Sequence, residues 1–296
     1  DGFKSSIYIY GGNHGQFNTN WETDRSAPYS WMVNRKEVVD PTMQRRITQF
    51  YVLAFLEATL NDKQLYRKYF SNKDSASEYI PTDVLRVRYE DSTFLPIATF
   101  EEDVDVTTTT INGGELIGTG MRVWREASLV LRNNEPQENQ AVKLGWQQSN
   151  ARYTLKLPKE ALENVNRETV FRFDAIGLHE EKYKQFGVPF DDEINNNAIP
   201  ISVVIRPSGI QRHDSRISHT ILIEPTYSSN LYKWNWWNEL IGNKYEHVLQ
   251  TYEIPLSSII DSFESKNYDD IVEIVFQFNH GNNGLIYLDQ IGFSQN

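Results

Sequence analysis

Histidine is the side chain that most readily moves a proton near neutral pH, and one of the six in this sequence, His14, stands in a setting that holds it out. Ser6-Ile7-Tyr8-Ile9-Tyr10 reads as a strand, and Gly11-Gly12-Asn13-His14-Gly15-Gln16-Phe17 as the turn that ends it. Gly11, Gly12 and Gly15 permit the positive φ angles of a sharp turn, which frees the imidazole from sheet pairing. The chemistry open to such a side chain is general acid and base catalysis. The plainer reading of a histidine in a glycine-rich turn is a surface residue.

Other residues with chemical potential are fewer than their types suggest. His179, His213, His219, His247 and His280 have no metal-like spacing. His213-Asp214-Ser215 and Ser218-His219 set triad residue types side by side, but triad members meet in space and are not sequence neighbours. There is no Gly-x-Ser-x-Gly elbow in the sequence. Tyr232-Lys233-Trp234-Asn235-Trp236-Trp237-Asn238 is the densest aromatic run. Exposed, Trp234, Trp236 and Trp237 would stack on sugar faces; buried, they would fill a core or a domain contact.

Two kinds of element must position these residues. Tyr8 and Tyr10 alternate with Ile7 and Ile9, so both faces of the first strand are apolar, as in an α/β sheet covered on both sides. Residues 18–40, with Trp21, Pro28 and Trp31, read as an ordered loop. Asp40-Pro41 then starts a helix running to about Leu60, with aspartate as N-cap and proline in the first turn. Met43, Ile47, Phe50, Ala54 and Ala58 fall at helical spacing. Tyr51, Val52, Phe55 and Leu56 widen the apolar surface over most of the circumference, which predicts packing on more than one side. Asn61 is a candidate left-handed cap, and 64–70 a further helical turn.

Beyond a polar stretch at 71–83 that reads as a linker, the pattern becomes strand after strand. The segments are 85–89, 95–100, 128–132, 141–146, 152–157, 170–176, 199–205, 220–224, 248–254, 272–278 and 284–293, divided by turn residues as in an antiparallel sandwich. Residues 279–284, Asn-His-Gly-Asn-Asn-Gly, read as a hairpin loop.

Composition bounds the partners. In 296 residues, 40 acidic against 29 basic side chains give a net charge of −11, which opposes a nucleic-acid groove or an anionic membrane surface. No apolar run approaches the roughly 18 residues of a membrane span. The absence of cysteine excludes disulfides and a cysteine nucleophile and leaves the compartment open, cytoplasmic or exported. Starting at Asp1 just before a strand that needs neighbours, the chain is expected to be a piece of a longer protein, with any export signal upstream.

Tyr8 to Asn18, Gln44-Arg45-Arg46 and Ala54 to Leu60 resemble the C-terminal end of a bacterial α/β-hydrolase-fold family, of esterase-like serine hydrolases in which a β-sandwich follows the catalytic domain. Phe100 to Thr108 and Val142 to Trp146 resemble its second half. The resemblance implies that His14 is the triad histidine, held by Asn13, Gly15 and Gln16, with nucleophile and acid on an upstream half of the same hydrolase, covalent or nicked. Phe100-Glu101-Glu102-Asp103 and Leu288-Asp289-Gln290-Ile291 also resemble carbohydrate-binding-like jelly rolls. That implies a structural calcium shared by Glu101, Asp103 and Asp289, since the ion takes hard oxygens; the alternative is ordinary solvated acids. No other cofactor is implied.

The expected fold is mainly β: an antiparallel jelly-roll-like β-sandwich at 84–296, preceded at 1–70 by the last strand, His loop and final helix of an α/β-hydrolase domain. The expected function is the histidine-bearing portion of an esterase-like hydrolase acting on an ester. The alternatives are a noncatalytic carbohydrate-binding-type module with a glycan partner and a structural assembly domain.

Overall fold

The computed structural model describes residues 2–20, 30–131, 135–178, 198–211, 214, 217–228, 230, 232–234, 236–238, 245–262 and 268–295. In chain order the strands are β1 (Phe3–Ile9), β2 (Leu85–Asp91), β3 (Leu95–Ala98), β4 (Glu115–Thr119), β5 (Val123–Val130), β6 (Pro136–Trp146) and β7 (Arg152–Lys156). They continue with β8 (Thr169–Gly177), β9 (Ile199–Pro207), β10 (Ser218–Ile223), β11 (Tyr227–Ser228), β12 (Tyr245–Glu246), β13 (Gln250–Pro255), β14 (Ile271–Gln277) and β15 (Gly284–Gln295). The helices that matter below are α1 (Pro41–Thr59) and α2 (Lys68–Ser71). The architecture is mainly β, and among the described residues no helix is long and apolar enough to cross a membrane.

The chain divides into two compact units, each built from separate stretches. One comprises Asp1–Ser92, Val130–Glu135 and Tyr227–Thr251; the other comprises Thr93–Leu129, Pro136–Thr226 and Tyr252–Asn296. This division differs from a break at 71–83. That stretch contains a 3-10 turn, Lys73–Ala76, and buries Ala76 and Ile80 in the core of the first unit. Strand β2 belongs to that unit as well.

In the first unit β1 and β2 pair antiparallel over seven residues, from Phe3 opposite Asp91 to Ile9 opposite Leu85. A two-stranded ladder thus stands in place of the α/β sheet that the apolar alternation predicts. Helix α1 starts as its sequence dictates, with the Asp40 carboxylate accepting from the N–H groups of Thr42 and Met43 at 2.9 and 3.0 Å. Ile47, Tyr51, Ala54 and Ala58 form one buried stripe. The first three share a core with Leu85, Val87 and Tyr89 of β2 and with Tyr69 and Phe70 of α2. Met43 and Phe50 pack against that core as well, whereas Val52, Leu53, Phe55, Leu56 and Leu60 are exposed and leave part of the wide apolar surface uncovered. The left-handed residue after the helix is Asp62, at φ 52°, rather than Asn61.

The second unit is a sandwich. Strands β10-β9-β14-β7-β4 form one sheet and β13-β8-β15-β6-β5 the other, with β3 added alongside β15. Inward residues of both sheets share one core, in which Phe276 of β14 lies 5.1 Å from Phe173 and 6.1 Å from Phe171, both on β8. Strand β15 pairs with β6 over 284–288 and with β3 over 291–293. Between them Gln290 takes φ 47°, and Gly292 passes so close to β3 that an added Cβ would meet the Leu95 carbonyl oxygen at 2.3 Å. Residues 279–283 are not a hairpin loop: β14 and β15 lie in different sheets, so the segment crosses from one to the other.

Candidate functional site

Four tryptophans gather on the first unit, and main-chain bonds put them there. Val33 and Tyr232 form an antiparallel bridge. Beside it the Lys233 N–H donates to the Met32 carbonyl at 2.9 Å and the Lys233 ammonium to the Trp31 carbonyl at 2.6 Å. The turn from 232 to 238 is closed by Asn238, a buried side chain. Its Nδ2 donates to the carbonyls of Tyr232 and Trp234 at 2.8 and 3.3 Å, and its Oδ1 accepts from the Tyr232 N–H at 2.9 Å.

Trp31 is thereby set against Trp234, with centroids 5.4 Å apart and planes at 76°. Trp236 meets Trp237 at 5.0 Å and 87°. Trp31 and Trp236 are 60% and 59% exposed, and Trp234 37%; Trp237 is half-buried. An exposed indole offers a large rigid apolar face with one polar handle, which suits a ligand that is itself apolar on one face and hydroxylated at its rim. Trp234, Trp236 and Trp237 are legible from their sequence density, with Asn235 outside the described residues. Trp31 is not, because Lys233 and Trp234 lie about 200 positions along the chain and no local pattern joins them to it.

His14 opens a 3-10 turn, His14–Phe17, whose N-cap Asn13 accepts from the Gly15 N–H at 2.9 Å. The fully buried Gln44 of α1 pins this turn from two sides: its Oε1 accepts from the Asn13 N–H at 2.9 Å, and its Nε2 donates to the Asn13 carbonyl at 2.8 Å. Arg45 adds a bond to the Gln16 carbonyl at 3.0 Å. Gly11 must be glycine, since at φ 70° a Cβ would lie 2.2 Å from the Glu37 carbonyl oxygen. The His14 side chain is exposed, and no serine or acid is hydrogen-bonded to its ring among the described residues. Of the other histidines, His280 shares a 2.8 Å hydrogen bond with the buried Ser202, His219 is exposed and His247 is buried. His179, His213 and Ser215 lie outside the described residues, as do Trp21 and Pro28.

No family model and no curated protein matches this sequence. Solved structures that resemble it include an exo-β-agarase, at 12% identity and TM-score 0.40, over 69% of this chain and 25% of that one. The chain thus spans about a quarter of the agarase's length. Two carbohydrate-binding modules of cellulosomal cellulases from Clostridium thermocellum also resemble it. The family 11 module shows 11% identity and TM-score 0.35, over 70% of this chain and 97% of the module. The family 30 module shows 9% and 0.37, over 68% and 98%. Likenesses this distant assign no function, and these three do not bear on the α/β-hydrolase resemblance.

Glu101, Asp103 and Asp289 lie in the second unit. Glu101 accepts from the Gln140 N–H at 2.7 Å, and the fully buried Asp289 accepts from Asn139 at 2.9 Å and from the Gln290 N–H at 2.7 Å. Consecutive residues of β6 therefore bind the two acids. Asp103 accepts instead from the Asp105 N–H and the Thr108 hydroxyl, at 2.7 and 3.1 Å. Among the described residues no three His, Asp or Glu side chains are grouped so as to hold a metal ion. Burial raises the Glu126 carboxyl above its ordinary pKa, helped by the charges of Asp103, Glu102, Asp105 and Glu101.

Proposed function

We propose that this chain is a noncatalytic glycan-binding unit in which Trp31, Trp234 and Trp236 meet the sugar. The observation that carries the reading is their joint exposure on one bonded frame, where burial would have been the economical place for three indoles. The test is affinity electrophoresis of the full chain through gels containing soluble polysaccharides. Retardation by at least one polymer, lost in the Trp31→Ala, Trp234→Ala, Trp236→Ala triple variant, is the expected result. No retardation in any gel, or retardation that the triple variant keeps, overturns the reading.

A second reading is favoured by the pair of hydrogen bonds between Gln44 and Asn13 that fixes the His14 turn and by the exposed apolar residues of α1. In it His14 is the base of an esterase-like serine hydrolase, taking the proton of a serine on an upstream half and returning it to the leaving group. That half would also cover Leu53, Leu56 and Leu60. The fold does not define the acyl group. In a polypeptide carrying both halves, His14→Ala should lower the rate of p-nitrophenyl ester hydrolysis by several orders of magnitude; a rate within a few-fold of the parent refutes the assignment.

A further inference from the structure

The perpendicular setting of the indoles says what form of glycan the tryptophan site can take, an inference that rests on the glycan-binding reading above. The face of a crystalline polysaccharide is flat, and a protein that lies on it needs aromatic faces that share a plane. Trp31 and Trp234 stand at 76°, with centroids only 5.4 Å apart, and Trp236 and Trp237 stand at 87°. Within each pair, a plane that lies along one ring meets the other nearly on edge.

The main chain that carries the rings is held, so flattening the pair requires a change of side-chain rotamer. The Trp31 and Trp234 carbonyls are both held, the first by Lys233 and the second by the Asn238 side chain and by the N–H groups of Trp237 and Asn238. A corner of two perpendicular rings touches a pyranose on its face with one indole and on its flank with the other. That requires a sugar ring free on two sides, as in a chain end or a single solvated chain, and not one packed in a crystal layer. We infer that the site takes soluble glycan chains and rejects crystalline polysaccharide surfaces.

The experiment sets two measurements on the full chain side by side: depletion from solution by microcrystalline cellulose and by crystalline chitin, and retardation in gels containing soluble mixed-linkage β-glucan or soluble xylan. The expected result is retardation by at least one soluble polymer without depletion by either solid, and a fall in soluble binding of about tenfold or more in Trp31→Ala and in Trp234→Ala. Near-UV circular dichroism of the remaining tryptophans shows whether the fold survives, and Trp234→Phe, which keeps an aromatic face, should recover part of the retardation. Depletion by a crystalline solid that Trp31→Ala abolishes overturns the inference and leaves the glycan-binding reading standing. Failure to bind either form overturns that reading as well.

Discussion

Replacing Asn238 by alanine tests whether one buried amide holds the tryptophan turn together. The substitution removes three side-chain bonds to main chain, two to Tyr232 and a longer one to Trp234. Each is worth about 0.5–1.5 kcal/mol net. The 3.3 Å bond belongs at the low end, and the Trp234 carbonyl keeps the N–H groups of Trp237 and Asn238. The expected loss is therefore about 2 kcal/mol, well above the roughly 0.5 kcal/mol of an ordinary surface change. Amide hydrogen exchange is the direct assay, because the loss is local. The Trp237 and Asn238 N–H groups should exchange about 30-fold faster in the variant, the ratio that about 2 kcal/mol represents. Asn238→Asp keeps the acceptor for the Tyr232 N–H and should fall between the two. Exchange within twofold of the parent at both amides would show that the turn is held by something other than Asn238.

The second unit supports three more tests. Phe276→Ala empties the centre of the sandwich between Phe171, Phe173 and Tyr153 and should cost about 3–5 kcal/mol in urea denaturation; a cost under about 1 kcal/mol would mean that the two sheets do not share that core. Glu126→Gln should stabilise the protein at neutral pH. The folded carboxyl binds its proton more tightly than the unfolded one, so stability falls as pH rises from the ordinary glutamate pKa through the raised folded value. Melting curves of parent and variant should converge below that window, and a parent that is the more stable at neutral pH would contradict the assignment. For calcium, the engaged carboxylates of Glu101, Asp103 and Asp289 lead us to expect no change in melting temperature between chelator and millimolar calcium. A fall of several degrees in chelator, restored by calcium, would show that an ion replaces those bonds.

The periodic parts of this fold were legible because local rules decide them. Asp40-Pro41 marks the start of α1, and β-branched runs bounded by turn residues mark most sandwich strands. Strand β4 escapes such a reading because Gly118 interrupts it; there Trp124 lies so close that a Cβ would touch its ring at 2.6 Å. Neither the partner of β1 nor the sheet that β15 joins is a local property. Residues 279–284 carry hairpin chemistry, yet the two sheets compete for the strands on either side and long-range burial decides between them. The same limit applies to the site. Gln44 reads as one more polar residue on a helix, and only the folded chain shows it buried against Asn13.

The composite first unit has a consequence for how the protein is made. Trp31 finds Trp234 only after the sandwich strands up to β10 have been synthesised, since the frame of the site closes at Asn238. During that interval β1, α1 and β2 can already meet, as their contacts are nearer in sequence, whereas the tryptophan corner must wait for a loop of about 200 residues to close. A ribosome stalled after β2 has emerged but before residue 238 would hold a nascent chain with part of its first core formed and no corner at all. The indole signal of Trp31 is in this sense a clock for the completion of the chain.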